Sequence, residues 1–481
     1  MMLERCIHLA YFDPARGHVP NPGMGIQAYV FSDHMHHGFS REEWQLTERS
    51  DPNRPLPQHV FERMLDLPYV DNLYFRADWN QVQSRAGSLS LPPAWEWMME
   101  AVEARGKRWS FRIMNASRHS AGPTSIPNFL AERLELDSYA NQFAFGPAQR
   151  GYPRYTDEYL KWWSELVHLL AERYDDHPLL DFVDISGYGI WGEGHHYGQH
   201  EPGTDRFWNR HADNAEEVVA HLIDDHLSAF AKTPVAMTLH YLDYAAGVSA
   251  LQNPAVWLRR DSFQPFASTV EYRATTDRVP GRAVVWETVI PGYGNEPVPL
   301  IYSERLPQRF IDFTAHYAAV GFNPWDVILA HENRVGVYED LAEKIGYRVR
   351  PAVVWRRVND HDEHELVVAM ANDGSADIPG TLTLRAKFAS GETTFVTLPI
   401  GRPHVGDRAL YTLAVPRSSW DLGSESSVEL SLSIRIRGKE SPVQWAVRQI
   451  VSDPFCLRLP LRSPPPGDPF VTASGKYDVS F

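Results

Sequence analysis

Between about residue 20 and residue 346, short apolar runs alternate with amphipathic stretches eight times, and after Arg348 the alternation stops. This constrains the fold more than any other feature of the chain. The runs are MGIQAYV (24–30), NLYFRAD (72–78), RWSFRIM (108–114), DFVDISGYG (181–189), PVAMTLHY (234–241), AVWLRR (255–260), AVVWET (283–288) and DVILAH (326–331). They are rich in β-branched and aromatic residues, bounded by Gly, Pro, Asn or Asp, and too short for helices, so they read as strands. Strands separated by helices imply a parallel sheet with right-handed crossovers. Eight such units over roughly 325 residues predict a (β/α)8 barrel, a TIM barrel, with loop insertions.

The intervening stretches carry helix signals. Over 155–174, Tyr159, Trp162, Leu166, Leu169 and Tyr174 form an apolar stripe; Thr156 can cap the helix, and Asp157 and Glu158 suit its positive end. Residues 93–105 open on Pro93 and stop at Gly106. Further helices are predicted over 57–66, 214–231, 303–319 and 338–345, with crossovers around 243–252 and 268–279. The longest insertion, about 115–154, follows the third strand on the side where barrel active sites form.

Beyond Arg348 come AVVWRR (352–357), ELVVAMAN (365–372), TLTLRAKF (381–388), TTFVTLPI (393–400), ALYTLAV (409–415), SVELSLSIRI (427–436) and VQWAVRQI (443–450), separated by polar turns. VELSLSIRI alternates strictly, as a half-buried antiparallel strand does. Strands without helices predict a C-terminal antiparallel β-sandwich. The expected division is a barrel over 1–346, a sandwich over 347–460 and an extended tail over 461–481, with PPPGDP at 464–469.

Composition excludes several classes. The 481 residues carry Lys+Arg 46 against Asp+Glu 61, a net charge of −15, which disfavours nucleic acid or an anionic membrane as a partner. No run of about 18 apolar residues is present to span a membrane, and MMLERCIHLAYFDPARGH does not read as a secretory signal, so a cytoplasmic location is the expectation. Cys6 and Cys456 are the only cysteines, too few for a disulfide framework or a cysteine-rich zinc site. The 15 Trp, 21 Tyr and 22 Phe suit a protein that stacks sugars on rings, although core packing accounts for most of them.

Polar residues at the C-terminal ends of barrel strands are the functional candidates, because those ends build the pocket. Strand 2 ends in Arg76, Asp78 and Trp79; strand 3 carries Arg112 and Asn115; strand 4 runs into Trp191, Glu193 and His195; strand 5 ends in His240 and Tyr241; strand 6 ends in Arg259, Arg260 and Asp261; strand 7 ends in Trp286 and Glu287; strand 8 ends in His331 and Glu332. Glu193 and Glu287 lie three strands apart around the ring, so they can face each other across the pocket. Paired carboxylates flanking a bond are what glycoside hydrolysis needs, one protonated to assist the leaving oxygen and one ionised. Flanking Trp191 and Trp286 could raise one pKa while a nearby Arg keeps the other group ionised. For Arg76, Arg112 and Asp78 the alternative is a structural ion pair, and for the three tryptophans it is packing at the barrel mouth.

Glutamates after strands 4 and 7 resemble those of the retaining glycoside hydrolases of the β-galactosidase-type (family 42-like) superfamily. NPGMG (21–25), YFRADW (74–79), SFRIMN (110–115) and GYGIWGEGH (187–195), with a sandwich after them, resemble bacterial glycosidase-like barrels. The resemblance implies Glu193 as acid/base and Glu287 as nucleophile. By their places at the strand ends, Arg76, Asp78, Trp79, Arg112, Asn115, Trp191, His195, His240, Tyr241 and Trp286 are the expected substrate contacts. The resemblance departs in two places. Gly192 stands where many members have Asn before the acid/base. The strand-6 Tyr that orients the nucleophile has no match, with Phe263 nearby and Tyr241 as a substitute.

The expected function is hydrolysis of a β-linked sugar by a retaining mechanism, with a carbohydrate substrate and no cofactor or metal. One alternative is a metal-dependent hydrolase built on His34, His36, His37, His195, His196 and His200. Gly198 between His196 and His200, and the lack of a Glu after the first His, weigh against zinc. Another alternative is a glycan-binding barrel without turnover. The sandwich is expected to shield the barrel or to form a homo-oligomer contact. None of the lysines stands at a predicted strand end, which disfavours Schiff-base chemistry.

Overall fold

The computed structural model describes residues 6–30, 58–117, 122–140, 149–194, 214–260, 279–287, 306–320, 332–420, 426–449 and 451–461. In chain order the strands are β1 (Cys6–Tyr11), β2 (Gly25–Val30), β3 (Val70–Asp78), β4 (Arg108–Met114), β5 (Leu136–Ala140), β6 (Gln149–Pro153), β7 (Leu180–Asp184), β8 (Val235–Thr238), β9 (Val256–Arg260), β10 (Val284–Glu287) and β11 (Tyr317–Val320). β2, β3, β4, β7, β8, β9, β10 and β11 close into a barrel, every neighbouring pair parallel. β5 and β6 form a separate hairpin inside the insertion after β4. Among the described residues, no helix is long and apolar enough to cross a membrane.

The alternation of side chains across each strand sorts the core into two layers. Tyr29, Tyr74, Phe182, Trp257, Val285 and Tyr317 belong to one cluster, which fills the barrel and continues into the C-terminal sheets. Phe75, Trp109, Phe111, Val183, Leu258 and Trp286 belong to the other, between strands and helices. Helices stand where the sequence places them at Gln58–Asp66, Pro93–Glu103, Asp157–Tyr174 and Ala215–Ala229. Thr156 caps the third of these by accepting from the Tyr159 N–H at 3.3 Å.

The eighth strand differs from the expectation. It is YAAV at Tyr317–Val320, overlapping the end of the stretch read as a helix, and DVILAH (326–331) lies outside the described residues. The helix there stops at Asp312, and Thr314 turns the chain with φ 52°. Alanine favours helix by local propensity, but Ala318 and Ala319 are needed as ladder partners for both Trp286–Glu287 and Ile26–Gln27. A strand of four apolar residues has no periodicity by which it could be told from a helix.

The C-terminal region contains β12 (Val349–Val358), β13 (His364–Asn372), β14 (Thr381–Phe388), β15 (Thr393–Thr397), β16 (Arg408–Ala414), β17 (Ser427–Ile436), β18 (Lys439–Val443) and β19 (Cys456–Pro460). Among the described residues they form an antiparallel sheet ordered β1-β12-β13-β16 and another ordered β15-β14-β17-β18, with β19 also on β17. Leu366, Val368 and Met370 of the first sheet share a core with Leu382, Leu384 and Leu430 of the second. Two details differ from the sequence reading. The first strand of the chain, assigned to the barrel unit, pairs with β12, and VQWAVRQI leaves the sheet at Val443 rather than forming a strand.

The sandwich covers the N-terminal ends of the barrel strands. Lys439 donates to the carbonyls of His177 and Leu180 at the start of β7. Arg437 donates to the carbonyls of Leu227, Ala231 and Thr233, which cover the last turn of a helix and the approach to β8. The opposite, C-terminal end of the barrel therefore carries the candidate chemistry.

His316, just before β11, joins the two units. Its Nδ1 accepts from the Val284 N–H at 3.2 Å and its Nε2–H donates to the Asp377 carbonyl at 2.8 Å. Burial lowers its pKa to about 4, because a charged ring there would lose its solvation and face an N–H. The unfolded chain binds this proton near pH 6.5 and the folded chain only near pH 4, so stability falls as the pH drops through that window. The shift corresponds to about 3 kcal/mol for this group. Urea midpoints measured from pH 7 to pH 4 should fall accordingly, and His316→Gln, which cannot titrate, should show a shallower decline.

Candidate active site

The site begins with the parity of the strands. Inward positions near the C-terminal ends are Tyr29 on β2, Tyr74 and Arg76 on β3, Arg112 on β4, Asp184 on β7, Arg259 on β9 and Glu287 on β10. Arg112 and Arg259 are completely buried, and Asp184, Glu193 and Glu287 are nearly so. Buried charges persist only when paired, and these form one connected network.

Asp184 is its centre. Its Oδ2 accepts from Arg112 Nη2 at 2.6 Å, Arg112 Nε at 3.0 Å and Tyr74 OH at 2.5 Å, with Arg259 Nε at 3.5 Å. Arg112 reaches Glu193 Oε1 through Nη1 at 2.5 Å, and Arg76 Nη2 stands 3.6 Å from the same oxygen. On the other side, Arg259 Nη2 donates to Glu287 Oε2 at 2.8 Å, and Tyr29 OH donates to that oxygen as well. Arg259 also stacks over the Tyr74 ring, 4.3 Å from its centroid. The two glutamates are thus tied to one Arg112–Asp184–Arg259 chain.

The electrostatics follow from burial and pairing. Burial alone would lower the pKa of Arg112, but Tyr74, Asp184, Glu193 and Glu287 reverse this and hold the guanidinium well above its usual range. Burial raises Asp184 above an ordinary carboxylate, opposed by Arg112 and by the hydrogen bond from Tyr74. Tyr74 is raised well above a free phenol, chiefly by burial, so it remains a donor.

Glu193 is not at a strand end. β7 stops at Asp184, and Glu193 is delivered by the glycine-rich loop that follows. Gly187, Gly189, Gly192 and Gly194 have positive φ, and so does Trp191, at φ 60°. A Cβ on Gly192 would lie 2.7 Å from Ser186 Cβ, and one on Gly187 would lie 2.5 Å from Trp163 Nε1. Only glycine permits this path. The loop is pinned from behind: Thr238 Oγ1 donates to the Glu193 carbonyl at 2.6 Å, Tyr241 OH to the Gly192 carbonyl at 3.1 Å, and Tyr159 OH to the Gly187 carbonyl at 2.5 Å.

Several predicted site residues lie elsewhere. Trp79 is fully buried on the helix side, edge-on to Trp163 and Tyr159, with Nε1 donating to Gln83. Trp286 faces the helix layer and donates to the Phe313 carbonyl at 3.0 Å. Both are packing residues, not sugar contacts, because each neighbours in sequence a residue that faces inward. Tyr241 is completely buried, its ring against Gly194, so it supports the loop rather than touching substrate. Among the described residues Tyr241 makes no hydrogen bond to Glu287; the tyrosine that donates to Glu287 is Tyr29 from β2. His240 and Tyr241 belong to a short 3-10 turn, Leu239–Asp243, beyond β8, with His240 half-buried. Trp191 is half-buried, and its carbonyl accepts from Arg112 Nη1 at 3.4 Å. Asp78 is buried, its N–H held by Gln81 Oε1, and Asn115 is buried just beyond β4. His195, like His34, His36, His37, His196, His200, Asp261, Phe263 and His331, lies outside the described residues. Among the described residues, no group of three or more His, Cys, Asp or Glu is arranged to hold a metal ion.

No family model matches the chain, and no curated protein matches it. Among solved structures it is similar to a trimodular GH5 subfamily 4 endoglucanase, at 11% identity over 89% of this chain and 79% of that one, with a TM-score of 0.39. It is similar to the endo-β-1,4-mannanase from Thermotoga petrophila, at 9% identity over 87% and 97%, with a TM-score of 0.37. It is also similar to endo-glycoceramidase II from Rhodococcus sp., at 10% identity over 83% and 100%, with a TM-score of 0.39. At such values the barrel rests on its own strand closure, and these likenesses carry no argument about chemistry.

The loop geometry has a direct test. Gly192→Ala should destabilise the protein by about 1–2 kcal/mol through left-handed strain alone, and by more from the clash with Ser186. Tyr241→Phe should cost about 1 kcal/mol. Denaturant titration of both variants measures the two effects.

Proposed function

We propose that the chain is a retaining glycoside hydrolase acting on a β-linked sugar, with Glu287 as nucleophile and Glu193 as acid/base. The observation that carries this reading is that two glutamates, one from the strand-4 loop and one from the end of strand 7, are tied to a single buried arginine cluster. The resemblance of GYGIWGEGH (187–195) to bacterial glycosidase-like barrels agrees with it.

In the first step Glu287 attacks the anomeric carbon, the bond to the glycosidic oxygen breaks, and that oxygen takes the proton of Glu193. In the second step water gives a proton to the Glu193 carboxylate and attacks the same carbon, releasing Glu287. Arg259 and Tyr29 favour the ionised form of Glu287 that attack requires. The ion pair of Glu193 with Arg112 favours the base form used in the second step. A bound neutral sugar displaces water from the pocket and favours the protonated form used in the first. The net charge of −15 suits a neutral substrate better than a polyanion.

A panel of aryl β-glycosides tests the reading. Glu287→Gln should abolish turnover. Glu193→Gln should lower it by about 10²–10⁴-fold for poor leaving groups, and much less for leaving groups that need no proton. A 2-fluoro-glycoside should label Glu287 on peptide mapping. Label on another residue refutes the assignment, and hydrolysis undiminished in both variants refutes the mechanism.

A further inference from the structure

We propose that Asp184 is a positioning residue that sets the protonation balance of Glu193 and Glu287 by holding Arg112 and Arg259 between them. The proposal rests on the glycosidase reading for its kinetic consequence, but not for its physical one. Asp184 occupies two of the Arg112 nitrogens, Nε and Nη2, leaving Nη1 for Glu193. The guanidinium is therefore shared, and Glu193 feels only part of its charge. Arg259 is divided in the same way, with Nε toward Asp184 and Nη2 on Glu287. Among the described residues, Tyr74, Arg112 and Arg259 all converge on Asp184 Oδ2, while Oδ1 is buried with no hydrogen-bond partner. A carboxylate so placed keeps two buried guanidiniums paired, which stability requires. It is well placed to moderate two cations that would otherwise lock both glutamates in their ionised forms.

The groups facing Asp184 are Tyr74 and Arg76 from β3, Arg112 from β4 and Arg259 from β9. Among the described residues, Arg112, Arg76 and Tyr241 face Glu193, and Arg259, Tyr29 and Arg112 face Glu287. Neutralising Asp184 removes a negative charge and frees Arg112 for Glu193, so both glutamates should ionise at lower pH. Removing the Arg112 fork should have the opposite effect on Glu193.

The test is titration of ¹³C-carboxyl-labelled glutamates by NMR, with Glu193→Gln and Glu287→Gln spectra used for assignment. It compares the wild-type protein with Asp184→Asn and, as a second variant, Arg112→Lys. In Asp184→Asn the Glu193 midpoint should move down by about one pH unit, and in Arg112→Lys it should move up. The alkaline limb of the kcat/KM profile on an aryl β-glycoside should follow the same directions. One unit corresponds to about a tenfold change in activity on that limb. A loss of activity with unmoved limbs and unmoved midpoints would make Asp184 merely structural and overturn the proposal. Midpoints that move as expected in a protein without glycosidase activity would uphold the positioning role and sink the glycosidase reading instead.

Discussion

Arg112 cannot be solvated by water where it stands, at the centre of an eight-stranded barrel with no exposed surface. Its charge is tolerable only because Asp184 and Glu193 meet it from two different elements, the end of β7 and the loop beyond it. Breaking such a buried pair from one side typically costs about 3–5 kcal/mol. The rest of the site depends on this requirement. The loop must bring Glu193 back over the barrel mouth, Tyr74 must remain a neutral donor, and Arg259 must extend the chain of charges to Glu287.

The same requirement explains why the loop is so rich in glycine. A chain leaving β7 has to reverse within a few residues and present a carboxylate to Arg112, and the four glycines supply the left-handed backbone that this needs. Trp191 adopts φ 60° without being glycine, which is uncommon for so large a residue. Its N–H is held by the Ala116 carbonyl at 2.7 Å and its carbonyl by Arg112, so its strained backbone is fixed at both ends. Strain of this kind clusters at functional sites. Beneath the site, the sandwich covers the opposite end of the barrel through Lys439, Arg437 and His316.

Much of this was legible in the sequence, and the rest was hidden for identifiable reasons. Seven of the eight barrel strands announced themselves as apolar runs, and Arg76, Arg112, Glu193 and Glu287 stood out as charges beside them. YAAV was hidden because four apolar residues carry no period. Asp184 was hidden because DFVDISGYG reads as one run, so a residue that ends the strand looked internal. Tyr29 was hidden among apolar neighbours, with nothing local to connect it to Glu287, 258 residues away. The Trp79 and Trp286 expectations had a correction available in the sequence itself. Adjacent residues on a strand face opposite ways, so a pocket-facing Glu287 places Trp286 among the helices.

The proposed retaining mechanism requires that the Glu193 and Glu287 carboxyl groups face one another across the buried charge cluster, close enough to form a covalent glycosyl-enzyme. A crystal structure of the protein, in which the distance between the two carboxyl groups is read directly, tests it most plainly. A retaining site should show a separation of about 5–5.5 Å, with Asp184 between Arg112 and Arg259. A separation of about 6.5–9.5 Å would contradict retention, and carboxylates that do not share one pocket would contradict the account as a whole.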